Sequence, residues 1–192
     1  MALVQSVHRA KQGRSALLKW RPDVEAVLAG DTVYGRDAET LDEGFPTLPL
    51  TALVLAPFLA LADVPANLLW STLKVALTWW MLLAALRLAS DGRPWPGWST
   101  VLVLALSCRV LLSDLSHGNI NILVGATLVA AAVTWSRGHD LRAGLWIGLG
   151  TVLKATPALF LLFFLWKRSP RAVFGWLLGL ALFAFLNTRS LV

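Results

Sequence analysis

From residue 48 onward the chain is a succession of apolar runs separated by short polar punctuation. The runs cover residues 48–62, 67–89, 99–112, 120–135, 143–166 and 172–186. None shows the ~10-residue alternation of a transmembrane barrel strand. A helix rises ~1.5 Å per residue, so about 20 apolar residues cross ~30 Å of hydrocarbon. Residues 67–89 are long enough to span. Residues 48–62, LPLTALVLAPFLALA, reach only ~22 Å and are interrupted by Pro57, so this run is expected to lie in the interface or to re-enter. The pattern predicts an all-α protein, a polytopic transmembrane helical bundle with several short or broken membrane helices.

The run at 143–166, AGLWIGLGTVLKATPALFLLFFLW, is split at 154–157 by Lys154 and Pro157 into two pieces, each too short to span alone. A lysine at membrane depth costs about 3 kcal/mol on insertion scales, so Lys154 should face protein, water or a bound anion. Snorkelling to an interface is the alternative. Lys74 is nearer its helix start and is expected to snorkel. Arg109 is close to its helix end and is expected at the interface, where it could join Lys154 around a phosphate. A buried cation flanked by basic residues points to an anionic lipid or lipid phosphate as ligand.

Residues 1–46 are different, polar and mixed, and form a region distinct from the helical domain at 47–192. Pro22 suits a first helical turn and Gly30 a C-cap, which predicts one short amphipathic helix. The acidic GDTVYGRDAETLDEG that follows Ala29 reads as a loop. The N-terminal MALVQSVHRAKQGRS has no apolar core and does not read as a signal peptide. The chain ends at FLNTRSLV directly after an apolar run. Both ends are abrupt, and a fragment of a longer protein is expected.

Composition sharpens this picture. The chain is 57% hydrophobic and 15% charged, with mean hydropathy +0.66; a soluble domain carries about 25% charged residues. Trp95, Trp98, Trp135 and Trp166 stand at run ends, where interfacial belts form. Net charge is +6, yet seven of the eleven acids precede residue 46. The basic excess lies in short loops, as positive-inside topology expects, and no basic face with interleaved aromatics points to nucleic acid. With RGHDLR (137–142) and KRSPR (167–171) in the cytoplasm, the broken element enters and leaves on one side, with Lys154 at its apex. SDGRPWPGW then faces inside, and SDLSHGNIN and the acidic loop face outside. A single kinked helix is the alternative. Cys108 is the only cysteine, so no intrachain disulfide forms.

Four polar residues stand out between the third and fourth runs: Asp114, His117, Asn119 and Asn121. Loop polarity is one reading, with Asn119 or Asn121 capping the next helix. Asp114 follows an apolar helix, where the macrodipole disfavours a carboxylate. A carboxylate and a histidine three residues apart can bind a metal or hydroxyls, but two ligands are too few to assign a metal. No phosphate-binding glycine loop, zinc spacing or nucleophile elbow occurs, and neither metal nor cofactor is expected.

The order of motifs is VEAVLAGDTVYG (24–35), FPTLPLTALVLAPF (45–58), SDLSHGNINIL (113–123) and RAGLWIGLGTVLKATPALFLLFFLWKR (142–168). It resembles glycosyltransferase family 87, integral membrane transferases of GT-C fold that depend on polyprenol-phosphate sugars. The matching stretches are Gly30 to Tyr34, Phe45 to Leu50, Gly118 to Asn121 and Ala143 to Pro157. The resemblance implies transfer of a hexose, mannose in many members, from a polyprenyl-phosphate carrier to a glycan or lipid acceptor. It implies a multi-pass protein of the cytoplasmic membrane acting at its outer face. Basic groups would hold the lipid phosphate: Lys154, with Asp114, His117, Asn119, Asn121 and Arg109 as further binding residues. Glycosyl transfer needs a carboxylate to take the acceptor proton. At the family's base position stands Ala16, so Asp23 and Glu25, beside the predicted N-terminal helix, are the candidate bases. Asn119 replaces the family's glutamine in the turn. Two other classes fit broken helices and buried charge: a transporter or lipid flippase, and a non-catalytic membrane subunit.

Overall fold

The computed structural model describes residues 15–30, 49–90, 93, 96–117 and 119–189. The acidic loop expected after Gly30 lies outside them, as do the side chains of Cys108, Arg109 and His117. The described residues form nine α-helices and no strand: α1 (Ala16–Lys19), α2 (Arg21–Leu28), α3 (Pro49–Leu59), α4 (Asp63–Ala89), α5 (Gly97–His117), α6 (Asn121–Ser136), α7 (Asp140–Leu153), α8 (Phe160–Trp166) and α9 (Pro170–Arg189). A 3-10 turn, Thr156–Leu159, lies between α7 and α8. Among the described residues one helix, α4, is long and apolar enough to cross a membrane; α6, Thr156–Trp166 and Pro170–Leu182 are shorter apolar helices.

The centre of the fold is the crossing of α7 and α9, and glycine makes it possible. A Cβ on Gly144 would sit 2.0 Å from the Ala172 carbonyl oxygen, and one on Gly175 would sit 2.2 Å from that of Leu141. Small residues let two helix backbones approach within side-chain distance, the packing typical of helices in lipid. α6 packs on the other side of α7, and α4 packs on α6.

Pro157 decides where α7 ends. Its ring would collide with the carbonyl four residues back, that of Leu153, and it has no N–H to continue the ladder. Lys154 leaves the helix in an extended conformation, φ −157° and ψ 132°. The Leu153 carbonyl is not orphaned, because Thr51 Oγ1 on α3 donates to it at 3.2 Å.

The chain then turns back. Phe164 of α8 is buried with Ala143 and Ile147 of α7, Ala131 of α6 and Ala172 of α9, and its ring lies 5.4 Å from that of Trp135. Ser169 Oγ donates to Asp140 Oδ2 at 2.8 Å, tying the residue before α9 to the first residue of α7. The two ends of the broken element meet, and Lys154 is at its apex. A single kinked helix would separate Asp140 from Ser169 by the length of the element.

Two expectations about element ends are corrected. The third run was expected to end at residue 112, but α5 continues to His117, so Asp114 lies within its last turn rather than in a loop. The apolar spacing continues through Leu115 and carries the helix past the aliphatic run to His117. No asparagine caps α6 either: the N-cap is Ile120, without a side-chain cap bond.

The short N-terminal helices pack at the apex end. Leu17, Val24 and Val27 are buried in one cluster with Ala52, Leu55, Trp70, Ile120, Val152 and Leu153. Ser15 Oγ donates to Asn67 Oδ1, and Arg21 pairs with Asp63 at 3.0 Å. Gly30 has φ +79°, closing α2 in the left-handed region that glycine adopts without strain. The opposite end of the bundle gathers Arg87, Arg93, Arg137, Arg142, Lys167, Arg168 and Arg171 at helix ends and turns.

Candidate functional site

Four polar side chains from four helices or their ends form a chain at the apex. Lys74, in α4, is fully buried. Its Nζ donates to the backbone oxygen of Asp114 at 2.6 Å and lies 3.2 Å from Asp114 Oδ2. That second contact is out of line for a hydrogen bond, so it acts as a Coulombic pair. Asp114 Oδ1 accepts from Asn121 Nδ2 at 3.0 Å. Asn121 Oδ1 in turn accepts from Lys154 Nζ at 3.0 Å. The sequence is Lys74, Asp114, Asn121, Lys154, a cation, an anion, a neutral amide and a second cation.

Each link has a local cause. Asp114 is in the last turn of α5, and the next helix starts at Asn121 after a tight connection, which brings the two within bonding reach. The Asn121 amide is oriented from both sides, its donor toward a carboxylate and its acceptor toward an ammonium. Lys154 is placed by the Pro157 break. Its side chain is exposed, and one of its three N–H donors is used by Asn121. Lys74 and Asp114 cancel in charge, so this set carries one net positive charge at Lys154.

The buried lysine is therefore not the expected one. Lys154 was read as buried and is exposed at the turn; Lys74 was read as snorkelling and is buried against Asp114. A lysine without exposure cannot snorkel, and its charge is tolerated because a carboxylate lies beside it. A signal for this existed: Asn67, Trp70, Ser71 and Lys74 recur at helical spacing and are all buried, a polar stripe facing protein.

The other candidates divide. Asn119 lies in the connection between α5 and α6, and its Oδ1 is buried without a hydrogen-bond donor among the described residues. Asp23 and Glu25 are in α2, Asp23 half-buried in its first turn and Glu25 exposed. α2 packs on α3 at the apex end, through Val24 and Val27. The side chains of Arg109 and His117 lie outside the described residues.

An apolar cavity of about 520 Å³ is lined by residues including Val54, Leu77, Leu123, Leu149 and Leu153. Leu153 is adjacent to Lys154 in the chain, and Leu123 is two residues from Asn121. A cation next to residues that line a hydrocarbon-walled cavity is what an anionic amphiphile needs.

The model of glycosyltransferase family 87 matches residues 48–191. Over 199 aligned residues the chain is 30% identical to a polyprenol-phosphate-mannose-dependent alpha-(1-2)-phosphatidylinositol mannoside mannosyltransferase from Mycobacterium tuberculosis (strain ATCC 25618 / H37Rv). The alignment covers 95% of this chain and 43% of that protein, so the chain spans less than half the length of this relative. No solved structure matches.

Proposed function

Because the chain belongs to glycosyltransferase family 87, we propose that it forms the donor-binding part of a multi-pass, GT-C-like membrane mannosyltransferase. The donor is a polyprenyl-phosphate mannose, and the acceptor is a glycan or lipid at the outer face of the cytoplasmic membrane. The observation that carries this reading is Lys154: an exposed ammonium held by Asn121 at the turn of a hairpin, next in the chain to Leu153, which lines an apolar cavity. The membrane reading is supported by large outward-facing apolar side chains on several helices, among them Leu83, Leu106, Leu162 and Phe174. The sidedness is supported by the basic residues collected at the end opposite Lys154.

The chemistry follows from the charges. The acceptor hydroxyl attacks the anomeric carbon, the C1–O bond to phosphate breaks, and a carboxylate takes the hydroxyl proton. Negative charge develops on the leaving polyprenyl phosphate, and Lys154 stabilises it where it forms. Asp114 is not the base, since one oxygen is committed to Asn121 and the other faces Lys74. Its work is to aim the Asn121 amide. The base comes from α2, from Asp23 or Glu25. The buried Asn119 carbonyl, an acceptor without a donor, suits a sugar hydroxyl.

The test is mannosyl transfer from radiolabelled polyprenyl-phosphate mannose by membranes containing the full-length protein. Lys154→Ala should lower the rate by roughly 10²–10³-fold, the cost of one preorganised charge-stabilising donor. Unchanged transfer by Lys154→Ala would sink the proposal. Asp23→Asn and Glu25→Gln, made separately, name the base, because loss of a general base costs about 10²–10⁴-fold. If both retain full rates, the base is not on α2.

A further inference from the structure

The end of the bundle away from Lys154 carries a second charged pocket that sugar transfer does not use. Arg87 is in the last turn of α4, and Arg137 directly follows α6. Both line a cavity of about 170 Å³ together with Trp80, Ala84 and Ser136. Both are exposed, and among the described residues neither guanidinium has a carboxylate within ion-pair distance. α6 runs sixteen residues from Asn121 to Ser136, so this pocket lies about 24 Å along the helix from the Lys154 site. It is a separate place on the molecule.

The surroundings of this pocket identify its ligand. Leu88 lines it and also lines an apolar cavity of about 330 Å³ walled by Leu128, Trp135 and Phe163. Trp80 lines it and also lines the apolar cavity of about 520 Å³ walled by Leu77, Ala130 and Trp146. Ala131 of α6 lines the first of these cavities and its chain neighbour Ala130 lines the second. A pair of guanidiniums forms donor forks that match phosphate oxygens. Two apolar cavities, each sharing a lining residue with one small cationic pocket, match a headgroup with two chains. Basic pockets between membrane helices on the cytoplasmic side are where anionic lipids bind.

The geometry points to a binding site for an anionic diacyl phospholipid, its phosphate between Arg87 and Arg137, one acyl chain in the cavity of about 330 Å³ and the other in the Trp80 end of the cavity of about 520 Å³, the cavity whose Leu153 end the donor chain uses, so the lipid occupies it in protein free of donor. A free phosphate leaves both apolar cavities unfilled, and a single-chain amphiphile leaves one unfilled. The inference rests on the membrane part of the reading above and not on mannosyl transfer, so the transfer assay and the lipid assay fail independently.

The experiment is native mass spectrometry of the delipidated protein in neutral detergent. The probes are dioleoyl phosphatidylglycerol, dioleoyl phosphatidylcholine, oleoyl lysophosphatidylglycerol and inorganic phosphate. The wild type should retain phosphatidylglycerol at least roughly tenfold better than phosphatidylcholine, as two surface cations predict. Arg87→Gln combined with Arg137→Gln should abolish that preference. Ala84→Leu, which fills the pocket and leaves both charges in place, should abolish it too, so the result does not depend on one variant folding. Arg142→Gln with Arg171→Gln, at the same end but outside the pocket, should leave it intact. Equal retention of the two diacyl lipids would overturn the inference. So would equal loss in the Arg142/Arg171 variant, which would mean a diffuse basic belt. Displacement by inorganic phosphate, or retention of the lyso-lipid equal to that of its diacyl form, would overturn the two-chain assignment.

Discussion

Lys74 is the most exacting place to test the site, because its role rests on burial and two short contacts. Lys74→Met keeps the stem and removes the charge. Asp114, whose side chain is 15% exposed, then faces the interior without its counter-charge, and its backbone oxygen loses a donor at 2.6 Å. Removing one partner of a buried pair costs about 3–5 kcal/mol, chiefly because the remaining charge is uncompensated. At roughly 2–4 °C per kcal/mol for a chain of this size, the unfolding midpoint should fall by at least about 6 °C. Tryptophan fluorescence during heating reads this directly, since the chain has ten tryptophans. Asp114→Asn alone should also destabilise. The double variant removes both charges together and should be less destabilised than the sum of the two, with a coupling of about 1 kcal/mol or more. A Lys74→Met protein that melts with the wild type, or a double variant whose losses simply add, would refute the ion pair.

Three further outcomes follow from single contacts. Gly144→Leu should prevent α7 and α9 from docking, since even a Cβ would meet the Ala172 carbonyl at 2.0 Å; Gly125→Ala, facing the end of the flexible Met81 side chain with its sulfur at 3.3 Å, is the tolerated control, and size-exclusion chromatography separates the two. Thr51→Val removes the donor to the Leu153 carbonyl and should cost about 1 kcal/mol of stability by the same melting assay, the worth of one neutral hydrogen bond. Asn121→Asp keeps the size of the side chain and places a carboxylate beside Lys154; it should weaken donor capture, seen as a raised KM for polyprenyl-phosphate mannose, while an unchanged KM would mean that Lys154 does not meet the phosphate.

The break in the fifth run was legible because a proline and a lysine interrupt an apolar stretch, and both act through local rules of backbone and solvation. The length of α4 was legible for the same reason. The polar chain at the apex was only half legible. Lys154, Asp114 and Asn121 stood out individually as polar residues among apolar runs, but what joins them is tertiary. Asp114 reaches Asn121 because α5 continues one turn further than its run of aliphatic residues suggested. Lys74 escaped because the snorkelling rule considers one helix in lipid, whereas its neighbours Asn67 and Ser71 show that this face of α4 meets protein. Thr51 gave no sequence signal at all: a threonine in an apolar run becomes a cap only when another helix ends opposite it.

The order of charges at the apex has a consequence for how an anion is held. If a carboxylate touched Lys154 directly, it would aim the ammonium but also cancel its charge, and a phosphate would have to compete with it. Asn121 separates these two effects. Its amide passes orientation from Asp114 to Lys154 and passes no net charge. Asp114 is itself balanced by Lys74 from the interior side. The outer lysine is thereby fixed in direction yet keeps its full attraction for a ligand, and the desolvation cost of the fixing pair is met within the protein rather than by the ligand. A buried ion pair adds little stability compared with apolar packing, so its presence behind a neutral amide is better explained by positioning than by stability.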